Sequence, residues 1–144
     1  MDSSKIKNVV NQQRKFFQTG ATLPVKFRIE ALKKLKANIL ANEKEIAAAI
    51  KADLGKSETE AFMCEIGLVI TEISYMLKHV RKFAKDKTVS TPLSNFPAHS
   101  FVKSSPYGNV LIMSPWNYPF LLTLDPLVDA ISAGNTVVVK PSAY

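Results

Sequence analysis

Apolar positions recur along this chain at two different periods, and the period changes near residue 90. In the first part the spacing is helical. Ile6, Val9, Val10, Gln13 and Phe17 mark one face of a first helix, opened by Asp2 or Ser3 and stopped near Gly20. Pro24 suits the first turn of a second helix, whose face is Val25, Ile29, Leu32 and Ile39 with Leu35 and Leu40 beside it. Asn42 followed by Glu45 has the form of a capping box, restarting a shorter helix through Ile46 and Ile50 to Gly55. Ser57 with Glu60 repeats that signal more strongly. The longest helix follows, with Phe62, Ile66, Val69, Ile70, Ile73, Leu77, Val80 and Phe83 on one side, and it fades at Lys85-Asp86-Lys87.

After residue 87 the pattern is that of strands and turns. Thr88-Val89-Ser90 and His99-Ser100-Phe101-Val102-Lys103 are short β-type pieces in a Pro- and Ser-rich stretch, expected as edge or hairpin strands. Val110 to Met113 is apolar without alternation, as in a strand buried on both faces of a parallel sheet, and Thr136 to Val139 is a second such run. Between them, Phe120, Leu124, Leu127 and Ile131 give one helical face, and Gly134 stands where a helix C-cap needs positive φ. Pro126 predicts an interruption of that helix, with Asp125 capping a restart. The fold class expected is therefore α/β: a helical segment over 1–87, short strands over 88–107 and one βαβ unit over 108–144 with a right-handed crossover.

Charge sharpens this division. Of the 19 basic and 12 acidic residues, 17 and 10 precede Thr91, so the whole +7 excess lies in the helical part, while seven of the eight prolines follow it. The lysines alternate with Glu and apolar positions along amphipathic helices, which makes them a solvated face, and no nucleic-acid-binding motif accompanies them. The hydrophobic share of 47% fits a soluble globular chain. No segment approaches the ~20 apolar residues of a membrane span, and the polar start lacks an apolar signal core, so cytoplasmic residence is expected.

The single cysteine excludes an intrachain disulfide. Cys64 lies among Phe62, Met63 and Ile66 on the long helix and is expected to be a packed, unreactive thiol. His79 and His99 have no metal-ligand spacing with it, so no metal site is expected. Glu43, Glu45, Glu58 and Glu60 fit helix N-terminal electrostatics. The five glycines stand singly, and neither a GxGxxG fingerprint nor a P-loop occurs.

Chemistry concentrates where the two parallel strands end together. Ser114-Pro115-Trp116-Asn117 follows the first and Lys140-Pro141-Ser142 the second, on the sheet edge where open α/β folds bind ligands. Pro119 suits the first helical turn, which puts Asn117 just before the helix's positive end. Taken singly, Asn117 is a turn or cap asparagine, Lys140 a surface lysine and Trp116 a packing residue. Taken together, PWNYP followed by GNTVVVKPS resembles the aldehyde dehydrogenase superfamily, and the short amino-terminal region is most similar to its class 3 or fatty-aldehyde branch.

That resemblance runs through the whole chain but accounts for roughly the first third of the family pattern. It implies the opening unit of a Rossmann-like NAD(P)-binding sheet preceded by an oligomerisation arm at 88–107, and hence a homo-oligomer. It implies that Asn117 points its amide at the aldehyde oxygen as half of an oxyanion hole, that Lys140 contacts the adenosine ribose, and that Ser114, Pro115 and Trp116 line the cofactor groove, with Ser142 beside them. The activity implied is oxidation of an aldehyde to a carboxylic acid with NAD or NADP. In it a cysteine attacks the aldehyde, hydride passes to nicotinamide and a glutamate activates water; this chain reaches neither that cysteine nor that glutamate. One departure is Ala143, where many relatives place a glutamate that accepts from the ribose hydroxyls; its absence permits NADP. A non-catalytic nucleotide-binding or assembly module and a structural truncation fragment stand as alternatives, distinguished by nucleotide titration.

Overall fold

A computed structural model describes residues 3–143. Four helical stretches lead: α1 (Ser3–Gln18), α2 (Val25–Ala41), α3 (Glu43–Leu54), and α4 (Glu58–Ala61), which passes through a π turn (Phe62–Ile66) into α5 (Gly67–Phe83). A hairpin of β1 (Lys87–Val89) and β2 (Ser100–Val102) follows, then β3 (Asn109–Met113), α6 (Leu121–Ala133) and β4 (Thr136–Lys140). The fold is mixed α/β, with β3 and β4 as a parallel pair joined by α6, the single βαβ unit expected. Asp2, one of the two expected openers of α1, lies outside the described residues.

The core is a helical sandwich. Leu32 and Ile39 of α2, Ala47 and Ile50 of α3, Ile66, Val69 and Ile73 of the long helix and Val128 of α6 pack into one buried cluster. Sealing each Leu, Ile or Val side chain from water contributes about 1.5–3 kcal/mol. α1 takes no part in it, since none of its residues is buried, and its apolar side leans on β3 and β4.

Four expectations need correction. Asn42 stands at the N-cap of α3, its carbonyl accepting from the Ile46 amide at 2.9 Å, but no capping box forms: its backbone N–H bonds the carbonyls of Asn38 and Ile39 and its Nδ2 donates to the Asn38 carbonyl at 2.7 Å. The residue is already engaged as the C-cap of α2, which turns its side chain backwards. Ser57, where Gly55 already caps the end of α3, caps as expected, its Oγ accepting from the Glu60 amide at 3.1 Å. Pro126 does not break α6, which continues through it. The only bond its ring removes is to the carbonyl four residues back, at Leu122, and both residues are exposed to water.

The long helix departs from its α period through Phe62–Ile66, where the ladder widens to i→i+5 bonding. The wider turn puts Ala61, Glu65 and Ile66 together inside and turns Phe62 outwards, 42% exposed. Phe83, expected on the same face, is also exposed. Finally, β3 is not buried on both faces. Ile112 is buried at 6% exposure, whereas Leu111 and Met113 are 59% and 71% exposed on the other side.

Two polar clasps close the βαβ unit at the end away from the expected site. Asn135 Oδ1 accepts from the Gly108 amide at 2.9 Å and its Nδ2 donates to the Ala130 carbonyl, tying the start of β3 to the end of α6. Arg28 reaches from α2 to donate to the Ser132, Thr22 and Leu23 carbonyls. The guanidinium lies so close to Gly134, which has φ 90°, that a Cβ there would stand 2.8 Å from Arg28 Cζ. The expected left-handed C-cap is thus also a close approach: a side chain there would be strained at this φ and would push the guanidinium aside.

Candidate active site

Register sets the geometry. Met113 pairs with Lys140 in the parallel ladder, and the Ser114 amide donates to the Lys140 carbonyl at 3.1 Å, so both strands end at one level. Ser114-Asn117 and Lys140-Ser142 therefore leave the same edge side by side. Helical bonding begins with the Leu122 amide on the Tyr118 carbonyl, which puts Pro119 in the first turn and Asn117 one residue before the bonded turn.

The six sequence-predicted residues divide by environment. Pro115, Trp116, Asn117 and Lys140 are exposed, and Trp116 stands 58% open to solvent rather than packed in the core. Ser142 is half-buried. Ser114 is buried at 8%, and its hydroxyl shares a 2.6 Å hydrogen bond with that of Thr123, linking the end of β3 to α6. Lys140 forms no ion pair among the described residues. Cys64, expected to be packed away, is half-buried on the π turn.

What the sequence reading missed is the support beneath Asn117. Glu65 is completely buried and pairs with Lys56, Nζ to Oε1 at 2.6 Å, with side-chain exposures of 0% and 11%. The other carboxylate oxygen, Oε2, accepts from the Phe120 and Leu121 amides at 2.9 and 3.2 Å. These are orphan donors of the first turn of α6, and an anionic acceptor suits the positive end of the helix. Lys56 Nζ also donates to the Asn117 carbonyl at 3.2 Å and sits 3.8 Å from the centroid of the Tyr118 ring. The ammonium is thus held by a carboxylate, a carbonyl and an aromatic face, a set that compensates its desolvation.

One sequence signal pointed this way. Glu65 is the one charged residue between Ala61 and Thr71, amid apolar positions on an inward helix face. A charge there implies a paired partner.

Among the described residues, no group of three or more His, Cys, Asp or Glu could hold a metal ion, and no helix is long and apolar enough to cross a membrane. A parallel sheet edge carries the exposed Asn117 and Lys140, beside a helix N-terminus braced by a buried ion pair, and such an edge is where open α/β sheets bind ligands. Residues 1–144 match the aldehyde dehydrogenase family, and the chain belongs to it. It is 44% identical over 139 residues to the 4,4'-diaponeurosporen-aldehyde dehydrogenase of Staphylococcus aureus (strain NCTC 8325 / PS 47), covering 94% of this chain and 30% of that protein. It is 43% identical to the dimeric NADP-preferring aldehyde dehydrogenase of Canis lupus familiaris, over 96% of this chain and 31% of the relative. Family 3 members also match, such as member A2 of Rattus norvegicus at 41% identity, covering 92% of this chain and 28% of the relative. The fold superposes on the substrate-bound state of Staphylococcus aureus AldH with a TM-score of 0.90 at 43% identity, over 99% of this chain and 31% of that one. The chain thus spans about 30% of the length of these relatives.

Proposed function

We propose that this chain supplies the opening segment of an NAD(P)-dependent aldehyde dehydrogenase, which oxidises aldehydes to carboxylic acids. The observation that carries the reading is the shared strand end, where the β3–β4 register sets the Asn117 loop beside Lys140. Asn117 donates its side-chain amide to the aldehyde oxygen as charge builds there. Such a donor stabilises the tetrahedral state more than the ground state, which is what accelerates the chemical step.

The residues of the edge fit a dinucleotide. Lys140 offers an exposed cation to the adenosine ribose, Pro115 and Trp116 form an exposed wall, and Ser142 lies beside them. Ser114, its hydroxyl engaged by Thr123, contributes through its main chain. An apolar hollow between α3 and α6 adjoins Pro141, bordered by Ile50, Phe120 and Leu124. When bound, the nicotinamide supplies the hydride acceptor. No acidic side chain stands at position 143 to repel a 2′-phosphate, which permits NADP without requiring it, and one relative is NADP-preferring.

The arm also has a role in this reading. All of β1 and two of the three residues of β2 are exposed, and Leu93 and Phe96 between them are 90% and 82% open. A short apolar hairpin standing clear of the core is suited to pairing with a neighbouring subunit, which makes the enzyme a homo-oligomer. The test is aldehyde-dependent NADH or NADPH formation by the full-length enzyme carrying this segment, with the acid product identified. Reduced cofactor matched mole for mole by carboxylic acid supports the reading, whereas binding of nucleotide with no turnover on any aldehyde refutes it.

A further inference from the structure

The residue on which the chemistry depends sits on an exposed connection, and yet that connection is gripped from beneath at both ends by a single ion pair. The Asn117 carbonyl is held by Lys56 Nζ at 3.2 Å, and the Phe120 and Leu121 amides are held by Glu65 Oε2 at 2.9 and 3.2 Å. Lys56 and Glu65 hold each other at 2.6 Å. The Tyr118 ring lies against the same ammonium and closes the grip between the two ends. We propose that Lys56 and Glu65 are positioning residues for Asn117, fixing the turn that aims its amide; the inference rests on Asn117 being the oxyanion donor.

The local structure around the pair is built for this. Gly55, in the left-handed conformation at φ 70°, ends α3, and Ser57 caps α4 through the Glu60 amide, so Lys56 is fixed between two helix boundaries. The π turn at Phe62–Ile66 brings Glu65 inward beside Ile66 rather than leaving it on the helix flank. Each of these features departs from the simplest helical path, and together they bring one cation and one carboxylate to the two ends of the same turn. An ion pair needed only for stability would be replaceable by apolar packing, often without loss. One whose two partners bond the backbone on either side of a reacting side chain also fixes direction, and a misplacement of about 1 Å there costs on the order of 100-fold in rate.

The test is a double-mutant cycle in the full-length enzyme, joining Lys56→Met with Asn117→Ala. Lys56→Met is expected to lower kcat by about 10-fold or more while leaving the cofactor Kd within about twofold, because the amide is mis-aimed but the adenosine contacts are intact. In the Asn117→Ala background the same change should leave kcat within about twofold, since there is no amide left to aim. Lys56→Arg, which keeps the charge, should recover most of the rate. The pair variant Lys56→Met/Glu65→Gln removes both charges together, which keeps the fold if the single change disturbs it, and it should show the same dependence on Asn117. Full kcat in Lys56→Met and in the pair variant, with Asn117→Ala impaired, overturns this inference alone. Equal losses with and without Asn117 also overturn it, since they mark a structural role. Normal turnover in Asn117→Ala itself removes the functional reading along with it.

Discussion

The ammonium of Lys56 and the carbonyl of Asn117 lie 3.2 Å apart, although 61 residues separate them in the chain. Around that contact the helical half and the βαβ half are joined at the candidate active site. The same ammonium binds a fully buried carboxylate, Glu65, so Glu65→Ala leaves Lys56 without its partner and α6 without its cap. The expected loss is about 3–5 kcal/mol. Denaturant unfolding of the variant checks this, and a loss below about 1 kcal/mol would show that the pair contributes little.

At the cofactor edge, Ala143→Glu is expected to favour NAD over NADP, because it adds an acceptor for the ribose hydroxyls and a charge opposed to a 2′-phosphate. Lys140→Ala should weaken both cofactors. Titrating each dinucleotide by fluorescence against the full-length enzyme gives the ratio, and an unchanged preference in the glutamate variant places the adenosine elsewhere.

Three carboxyls on the face between α5 and α6 predict an unusual pH response. Burial, then the charges of Asp129 and Asp125, raise Glu72; burial raises Asp125; and burial followed by the charge of Asp125 raises Asp129. The folded chain therefore holds these protons more tightly than the unfolded chain does, and their contribution to stability grows as pH falls through the raised values. Glu72→Gln should accordingly raise Tm at pH 8, with the gap to the unmodified chain narrowing as pH drops into the ordinary carboxylate range. Thermal melts across that window decide it; a variant less stable at pH 8 contradicts the assignment.

How much of this was legible in the sequence depends on the range of the interaction. Ser57 with Glu60 and the left-handed Gly134 are local signals, complete within a few residues, and both are present in the structure. The apolar runs at Val110 and Val137 pair in parallel as their lack of alternation implied, although Leu111 and Met113 remain open on one side. Asn42 misled because two helix ends compete for it, and Pro126 because a break costs little where its lost acceptor faces water. The six candidate residues were singled out by the resemblance that PWNYP and GNTVVVKPS carry, at two strand ends that the β3–β4 register does bring level. Their support was not, because Lys56, Glu65 and Phe120 come together only across separations of 9 and 55 residues, and through a π turn that shifts the helical period.

Residues 1–144 made by themselves are expected to self-associate and to lack aldehyde oxidation. Leu111, Met113 and the hairpin side chains Leu93 and Phe96 present apolar surface to water, and β4 pairs on one side only among the described residues. Exposed apolar surface beside an open strand edge recruits further chains. Light scattering with a parallel assay of NAD(P)H formation tests both halves: a monomer at tens of micromolar contradicts the first, and turnover abolished by Cys64→Ser contradicts the second.

The central claim is that Asn117 stabilises the developing oxyanion, and single-turnover hydride transfer tests it most directly. In the full-length enzyme with saturating aldehyde and cofactor, Asn117→Ala should slow NAD(P)H formation by about 100-fold or more while the cofactor Kd barely changes. A variant that transfers hydride at the unmodified rate, with the chemical step shown to be limiting, would contradict the account.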